Sequence, residues 1–548
     1  MSASLRAVLL VVLAGLACGT RAQDVESEPP PATAKTIKSP WRVVHYTASN
    51  PPVTPKLEEL PLQESVSQYG ITWTFEKPAR VGRFVNGDFY AVGPVTVVKI
   101  DPKPLWGAEV GELINKSGIK EDSYPGKQAR NGSVLNPAVT EGARKGGYDS
   151  RLPSGRYEPE MFAHLPIAMK PGDALVSTVS RPNASIKKFS GQHVDPLQVA
   201  AVLSCVAEPL PPDAFRPSYC DAAHSGPFLS RNLRRDLLLA LPRLEGMPEN
   251  LNAGAERFRK PWLDTVCFGF AAPVENLPHY GQTIVDLVGE ASLLLLMDYP
   301  AEDKEQLLVH FVQVGIDLWG AARAGMTWPA HGGLYSGRKW PILLSGMLLN
   351  DEKMRAPKQT LPKLRFHEDD QTGMAPYTYK GKSYAQSWTG AKALFLGHSP
   401  YLMESMADHW DKGWGALDLF HPSEWPKRAD GGKTLASEGY RIANTSSSWV
   451  SQALAARILR AEPIWNHDAF FNYVDRWMTQ DDTEFAKAKA DAGWQDVTGV
   501  PFGGFGRQGY LFTKAKWVRG LWDAYRDKLP PLPGYSGPPT PPASQTWR

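Results

Sequence analysis

The sequence predicts an α+β chain that is mainly α, an (α/α) toroid or incomplete barrel with an N-terminal β-sandwich-like module. Three observations carry that expectation. From about residue 61 to 225 apolar residues alternate with polar ones or run in β-branched blocks. After about residue 226 they recur at three- and four-residue steps. The connections between the helical stretches are long and hold the odd chemistry, as loops on one rim of paired inner and outer helices would. At 548 residues the chain exceeds one ordinary core, so a module plus a large helical domain is the expected division.

Residues 1–22 read as a secretory signal: Arg6 is the positive start, Ala7 to Ala17 the apolar stretch, and Thr20-Arg21-Ala22 a small-residue cleavage site. The expected location is secreted or periplasmic. Cys18 raises a lipoprotein anchor as the minor alternative, against which Gly15 stands where a branched aliphatic residue is preferred. Residues 23–60, rich in Pro, Glu, Thr and Ser, read as a linker or strap.

In the β-rich module (61–225), Ile71 to Phe75 alternates, and Arg80 to Val85 and Asp88 to Val92 flank an Asn86-Gly87 turn. Pro94 to Ile100, Ala174 to Ser180 and Val199 to Val206 read as further strands. In the helical part (226–528), helices are expected at Leu229 to Leu241, Tyr280 to Leu296, Lys304 to Arg323, Trp340 to Leu349, Trp388 to Leu396, Thr445 to Arg460, Asp468 to Met478 and Lys514 to Asp527. The Pro-rich tail, 529–548, should wrap or dangle. The longest apolar run, near Leu293 to Met297, falls far short of the roughly 20 residues that span a bilayer.

Removing Arg6 and Arg21 takes the formal charge from +3 to +1, so bulk charge argues against a nucleic-acid partner. The cluster Arg231, Arg234, Arg235 reads as a solvated helix face. Without a CxxC pair or an HExxH motif, no metal site is expected, nor a redox or nucleotide cofactor. Cys205 and Cys220 could close a short disulfide loop worth about 3 kcal/mol, leaving Cys267 unpaired. Tryptophan, present 18 times, is either core or a platform for stacking sugars.

Four loops mix glycine, aromatic and ionisable residues as a sugar-binding cleft would: Asn276 to Tyr280, His331 to Lys339, Phe366 to Thr372, and Ser437 to Asn444. In the second, Gly332, Gly333 and Gly337 permit close approach, so that His331, Tyr335 and Arg338 can converge before a buried helix whose N-terminus favours anions. One chemistry that fits is β-elimination on a uronic-acid polymer. It needs a cation or amide to quieten the C6 carboxylate, a base for the C5 proton and an acid for the departing oxygen. His279, His331, Tyr335, Arg338 and Asn276 offer that set, with Tyr280, Lys339, Trp340, Tyr440, Asn444 and Glu438 as substrate-binding positions. Tyr280 and Tyr440 compete as phenols and His331 as base. The rival is a glycoside hydrolase using Glu368 or Asp370 with Glu438; a third reading is a non-catalytic carbohydrate-binding protein.

The stretches Ile71-Thr-Trp-Thr-Phe-Glu-Lys, Arg83-Phe-Val-Asn-Gly-Asp-Phe-Tyr, His331-Gly-Gly-Leu-Tyr-Ser-Gly-Arg-Lys-Trp-Pro341 and Glu368-Asp-Asp-Gln-Thr372 resemble bacterial exported polysaccharide lyases with an α/α toroid, nearest to polysaccharide lyase family 38, which acts on alginate or glucuronan. The resemblance implies an endo-acting lyase on an anionic polysaccharide. It implies proton transfer by Tyr335 and His279, and charge stabilisation by Arg338.

Overall fold

The computed structural model describes residues 41–113, 121–138, 145–152, 155–186, 196–221, 227–264, 270–271, 273–277, 279–400, 413–427, 435–494, 507–537 and 541–548. Residues 1–22, read above as a secretory signal, with Cys18 among them, and Cys267 lie outside the described residues.

The N-terminal part is built on strands β1 (Leu62–Gln68), β2 (Ile71–Arg83), β3 (Phe89–Val92) and β4 (Val95–Asp101), followed by a small ribbon of β5 (Leu105–Trp106) and β6 (Ala129–Arg130). Strands β7 (Ser133–Leu135), β8 (Ile167–Met169), β9 (Ala174–Ser180) and β10 (Leu197–Val206) complete it. The sheet order is β7-β9-β10-β3-β2-β4-β8, with β1 also paired to β2. All these pairs are antiparallel except β10 with β3.

β2 explains the curl. Ile71, Trp73, Phe75, Ala79 and Val81 all face inward, while Glu76-Lys77-Pro78 is exposed. Its first half pairs with β4 and its last three residues with β3. Pro78, which cannot donate to a ladder, lies where one set of partners gives way to the other. The sheet therefore rolls into a half-barrel rather than a two-layer sandwich. The Asn86-Gly87 turn forms where the sequence places it: Gly87 has φ +91° and the Trp41 indole occupies the space a Cβ would need.

The C-terminal part is helical: α1 (Asn252–Arg259), α2 (Gly281–Leu295), α3 (Ala301–Arg323), α4 (Lys339–Leu348), α5 (His367–Gln371), α6 (Ala436–Tyr440), α7 (Ser447–Ile458), α8 (Asp468–Thr479), α9 (Thr483–Asp491) and α10 (Lys516–Tyr525), with shorter turns between. Helix α2 packs on α7, and α3 on α4 and α1. No helix among the described residues is long and apolar enough to cross a membrane.

The expected toroid is not formed. Alternating inner and outer helices would need helices at Leu229 to Leu241 and Trp388 to Leu396, and neither is one. The first is extended chain with two 3-10 turns, its backbone bonded to Leu348 and Leu296 of the helical core. The second is broken at Gly390 (φ +84°) and ends in a strand. Between α5 and α6 the described chain forms ribbons: β13 (Thr372–Met374) with β16 (Ala393–Phe395), and the hairpin β14 (Tyr377–Tyr379) with β15 (Lys382–Tyr384).

The described part of the 23–60 stretch and the tail are fastened. Val43 exchanges two hydrogen bonds with the Gln306 side chain on α3. Thr546 donates to Asp475 at 2.6 Å and the Trp547 indole to Thr479 at 2.8 Å, so the tail wraps. Cys205 and Cys220 are free thiols, so the bridge that the sequence allowed is not formed. Arg231, Arg234 and Arg235 pair with Asp213, Asp236 and Glu305.

Half-barrel and helices are joined through buried Arg216, which donates to Asp88 at 2.6 Å in the hairpin turn and to Asp317 at 2.5 Å on α3. Arg216→Met strands two buried carboxylates and should cost about 3–5 kcal/mol. Urea unfolding of the variant measures that loss.

Candidate functional site

The loop Trp328 to Arg338 is held by α5, and each side chain of that short helix has a task. Glu368 Oε1 accepts from the Gly337 amide at 2.6 Å, from Ser336 Oγ at 2.9 Å and from the Gln452 carboxamide at 3.1 Å. Helix α5 therefore supplies an anion of the protein's own at the N-H groups before α4. Asp369 receives both bonds of a buried ion pair from Lys339 at 2.7 and 2.8 Å. Asp370 accepts from the Ala330 amide at 3.0 Å and pairs with Arg365. Gln371 donates to the carbonyls of Gly332 at 2.8 Å and His398 at 3.0 Å. Two carbonyls can be met only by its NH2 group, so its oxygen faces His367 Nε2, 2.9 Å away, and that nitrogen carries the proton.

Around the glycines thus fixed, several polar rings meet. The Gly332 amide donates to the His398 carbonyl at 2.9 Å, and the Gly333 amide to the Tyr280 hydroxyl at 2.9 Å. A Cβ on Gly332 (φ +60°) would sit 2.7 Å from the Tyr440 ring and 2.9 Å from His398 Nε2. One on Gly333 would meet Tyr280 at 3.0 Å and Asn444 Cβ at 3.1 Å. The His398 ring lies edge-on to Tyr440 at 4.4 Å and to His331 at 5.7 Å, with Trp414 stacked behind it at 5.1 Å. His331, Tyr280, Tyr440 and Asn444 are half-buried. Asn444 stands in a π-helical stretch, Arg441–Ser446, that continues α6 into α7; such irregular turns recur at functional sites.

Burial pushes the His331 imidazole down to about 4, so it is neutral near pH 7. Burial, with Tyr440 adding to it, pushes the Tyr280 phenol well above its ordinary range, so it keeps its proton.

The structure thus brings together His331, Tyr280, Tyr440 and Asn444 from the sequence-derived set. Tyr335 lies on the same loop, 7% exposed. His279 precedes Tyr280 in a short strand, β12 (His279–Tyr280), paired with β11 (Phe270–Ala271); its side chain is outside the described residues. Other members of the set are framework. Arg338 is 1% exposed and donates to Asp264 at 2.8 Å, an acid that also takes the Trp328 indole N-H. Lys339 is equally buried; burial lowers it to about 8 against the pull of Asp369. The Trp340 indole is core and donates to Ser292 at 2.8 Å. Asn276 is buried and donates to the Lys260 carbonyl at 3.1 Å.

The carboxylates proposed for hydrolysis are equally committed. Glu368 is fully buried. Burial would raise Glu438, but Arg441 and Lys489 outweigh it and hold the group at about 2. Asp370 is tied as above.

Sequence reasoning missed His398 and Trp414. Gly397 (φ +115°), followed by His398-Ser399-Pro400 after an apolar run, was the available signal of a turn carrying a histidine. No group of three or more His, Cys, Asp or Glu suited to a metal occurs among the described residues.

Neither a protein-family model, nor a curated protein, nor a solved structure matches the chain.

Gln371→Leu takes the Gln371 partner from the buried Gly332 carbonyl and from the His367 Nε2–H, at about 1–3 kcal/mol each, while the His398 carbonyl keeps the Gly332 amide; Gln371→Glu, which aims a carboxylate at both carbonyls, should lose more, and thermal and urea melts rank the three proteins. His367 is driven by burial from 6.5 to about 3. Its contribution to stability is complete above pH 6.5 and is lost as pH falls toward 3. The unfolding free energy of wild type, minus that of His367→Asn, should therefore fall by about 1.4 kcal/mol per pH unit across that window.

Proposed function

We propose that the protein is an exported lyase that cleaves a uronic-acid-containing polysaccharide, of alginate or glucuronan type, by β-elimination. The observation that carries this reading is the meeting of two imidazoles, two phenols and a carboxamide at a glycine pair, while the acidic side chains available for hydrolysis are locked into ion pairs or buried. Elimination needs neutral bases and neutral acids beside an anionic sugar, and this is a set of such groups.

In the proposed step the neutral His331 imidazole takes the C5 proton. The C5 electron pair forms the C4–C5 double bond, the C4–O bond breaks, and the Tyr440 phenol protonates the departing oxygen. Tyr280, held protonated, and the Asn444 carboxamide face the developing charge on the C6 carboxylate as hydrogen-bond donors. His398, stacked on Trp414 and bonded through Nδ1 to Ser399 at 2.6 Å, positions the His331 and Tyr440 rings. Arg338, the cation first expected in the neutralising role, contributes instead by fixing the loop through Asp264. The glycines let the Tyr440, His398 and Tyr280 rings approach the loop backbone more closely than a Cβ would allow.

The test is ultraviolet absorbance of the unsaturated uronate during incubation with alginate, glucuronan and pectate. Tyr440→Phe should lower kcat by about 10²–10⁴-fold, with KM changed only a few-fold, whereas Asn444→Ala should chiefly raise KM. New reducing ends without absorbance would replace elimination by hydrolysis. Silence in both assays across the three polymers would refute the reading.

A further inference from the structure

We infer a second, polyanion-binding surface on the β14–β15 hairpin and the adjoining start of β16, where Lys380 and Lys382 of the hairpin and Lys392 before β16 hold an anionic polysaccharide remote from the reacting bond. The inference rests on the reading of the site as one that handles polyuronates, and it names where the rest of such a chain would lie.

The first ground is charge. Residues 371–400 contain Lys380, Lys382 and Lys392 and no Asp or Glu, in a protein whose 60 basic and 57 acidic residues nearly cancel. All three lysines are exposed. The second ground is the form of the hairpin. The register Tyr377↔Tyr384 and Tyr379↔Lys382 puts three tyrosines and Lys382 on one face. The tyrosines are anchored on Leu394, Leu396, Ala416 and Phe420, with ring contacts of 6.1 Å from Tyr379 and 5.3 Å from Tyr384 to Phe420. The Lys382 ammonium lies 5.1 Å from the Tyr384 ring and that of Lys380 5.9 Å from the Tyr379 ring. Cations carried by half-buried rings offer a sugar polymer both charge and a flat apolar surface.

The third ground is the turn itself. Lys380 and Gly381 have φ +49° and +76°, a two-residue hairpin tip that favours Asn, Asp or Gly at its first position. A lysine there runs against local preference and puts its charge at the furthest point of the hairpin.

Connectivity links this surface to the site. The β13–β16 ribbon begins at Gln371, whose backbone oxygen accepts from Leu396, and whose side chain holds the loops of His331 and His398. At its other end the Ala375 amide donates to the Lys392 carbonyl, and the hairpin begins. From Thr372 to Lys380 there is no more than about 28 Å of extended chain. One polymer can therefore reach both.

The test is the triple variant Lys380→Gln/Lys382→Gln/Lys392→Gln, in affinity electrophoresis through alginate, pectate and neutral dextran and in kinetics on long polymer and short oligouronates. All three side chains are exposed, and a melting curve verifies the fold. At low salt the variant should lose retardation by the polyanions and show about a tenfold rise in KM on long polymer. Its kcat, and its KM on short oligouronates, should match wild type, and added salt should erase the difference. Wild type that is retarded but does not cleave, with the variant not retarded, would keep this surface and overturn elimination. A variant indistinguishable from wild type in both assays would overturn the surface alone. Wild type that neither binds nor cleaves would overturn both.

Discussion

The candidate site depends on the hold that one five-residue helix has over the glycine loop. His367 to Gln371 is a run of consecutive polar side chains, four of them buried, in the middle of an apolar core. Such a run is costly unless its groups are matched, and the loop from Ala330 to Lys339 meets most of them with amides, carbonyls, a hydroxyl and an ammonium group. Burial raises Glu368 while three hydrogen bonds to one oxygen oppose the rise. For Asp369, burial is outweighed by Lys339, so the acid is held down and the pair stays ionic. The loop cannot slide without uncovering several of these groups together. That cooperativity lets a segment with glycine at three of ten positions keep one conformation.

The same arrangement divides the ionisable residues by role. Strong cations and anions, Arg338 with Asp264, Lys339 with Asp369, and Arg441 with Glu438, are consumed in pairs that brace the backbone, and Glu368 is taken up by neutral donors. Imidazoles, phenols and a carboxamide remain where the loop meets α6 and α7. Groups that are neutral near pH 7 tolerate partial burial at far lower desolvation cost than charges, so they can stand close together without a counter-ion. Such an arrangement is compatible with the proton transfer proposed above.

Local periodicity made much of the fold legible. The strands around Asn86-Gly87 and the helices beginning at Gly281, Ala301, Lys339, Asp468 and Lys516 lie where alternation or three- and four-residue spacing puts them. The same spacing misled at Leu229 to Leu241 and Trp388 to Leu396. There the apolar residues belong to extended chain fixed by backbone bonds to distant elements, such as Leu241 to Leu296, which no local pattern reports. The toroid rested on an unbroken alternation of all eight expected helices, and two of the eight are not helices. At the site, composition picked out His331, Tyr280, Tyr440 and Asn444 from glycine-aromatic loops. It could not separate cations available to a substrate from cations already paired, because Asp264 and Asp369 stand 74 and 30 residues away from Arg338 and Lys339.

Native-state hydrogen exchange at Gly333 and Gly337 tests the frame most directly. Their amides are donated to the Tyr280 hydroxyl and to Glu368. Exchange limited by unfolding of the helical core, at rates matching the central amides of α7, is the expected result. Exchange at the rate of an open loop would show that α5 does not hold the loop, and the account of the site would fail with it.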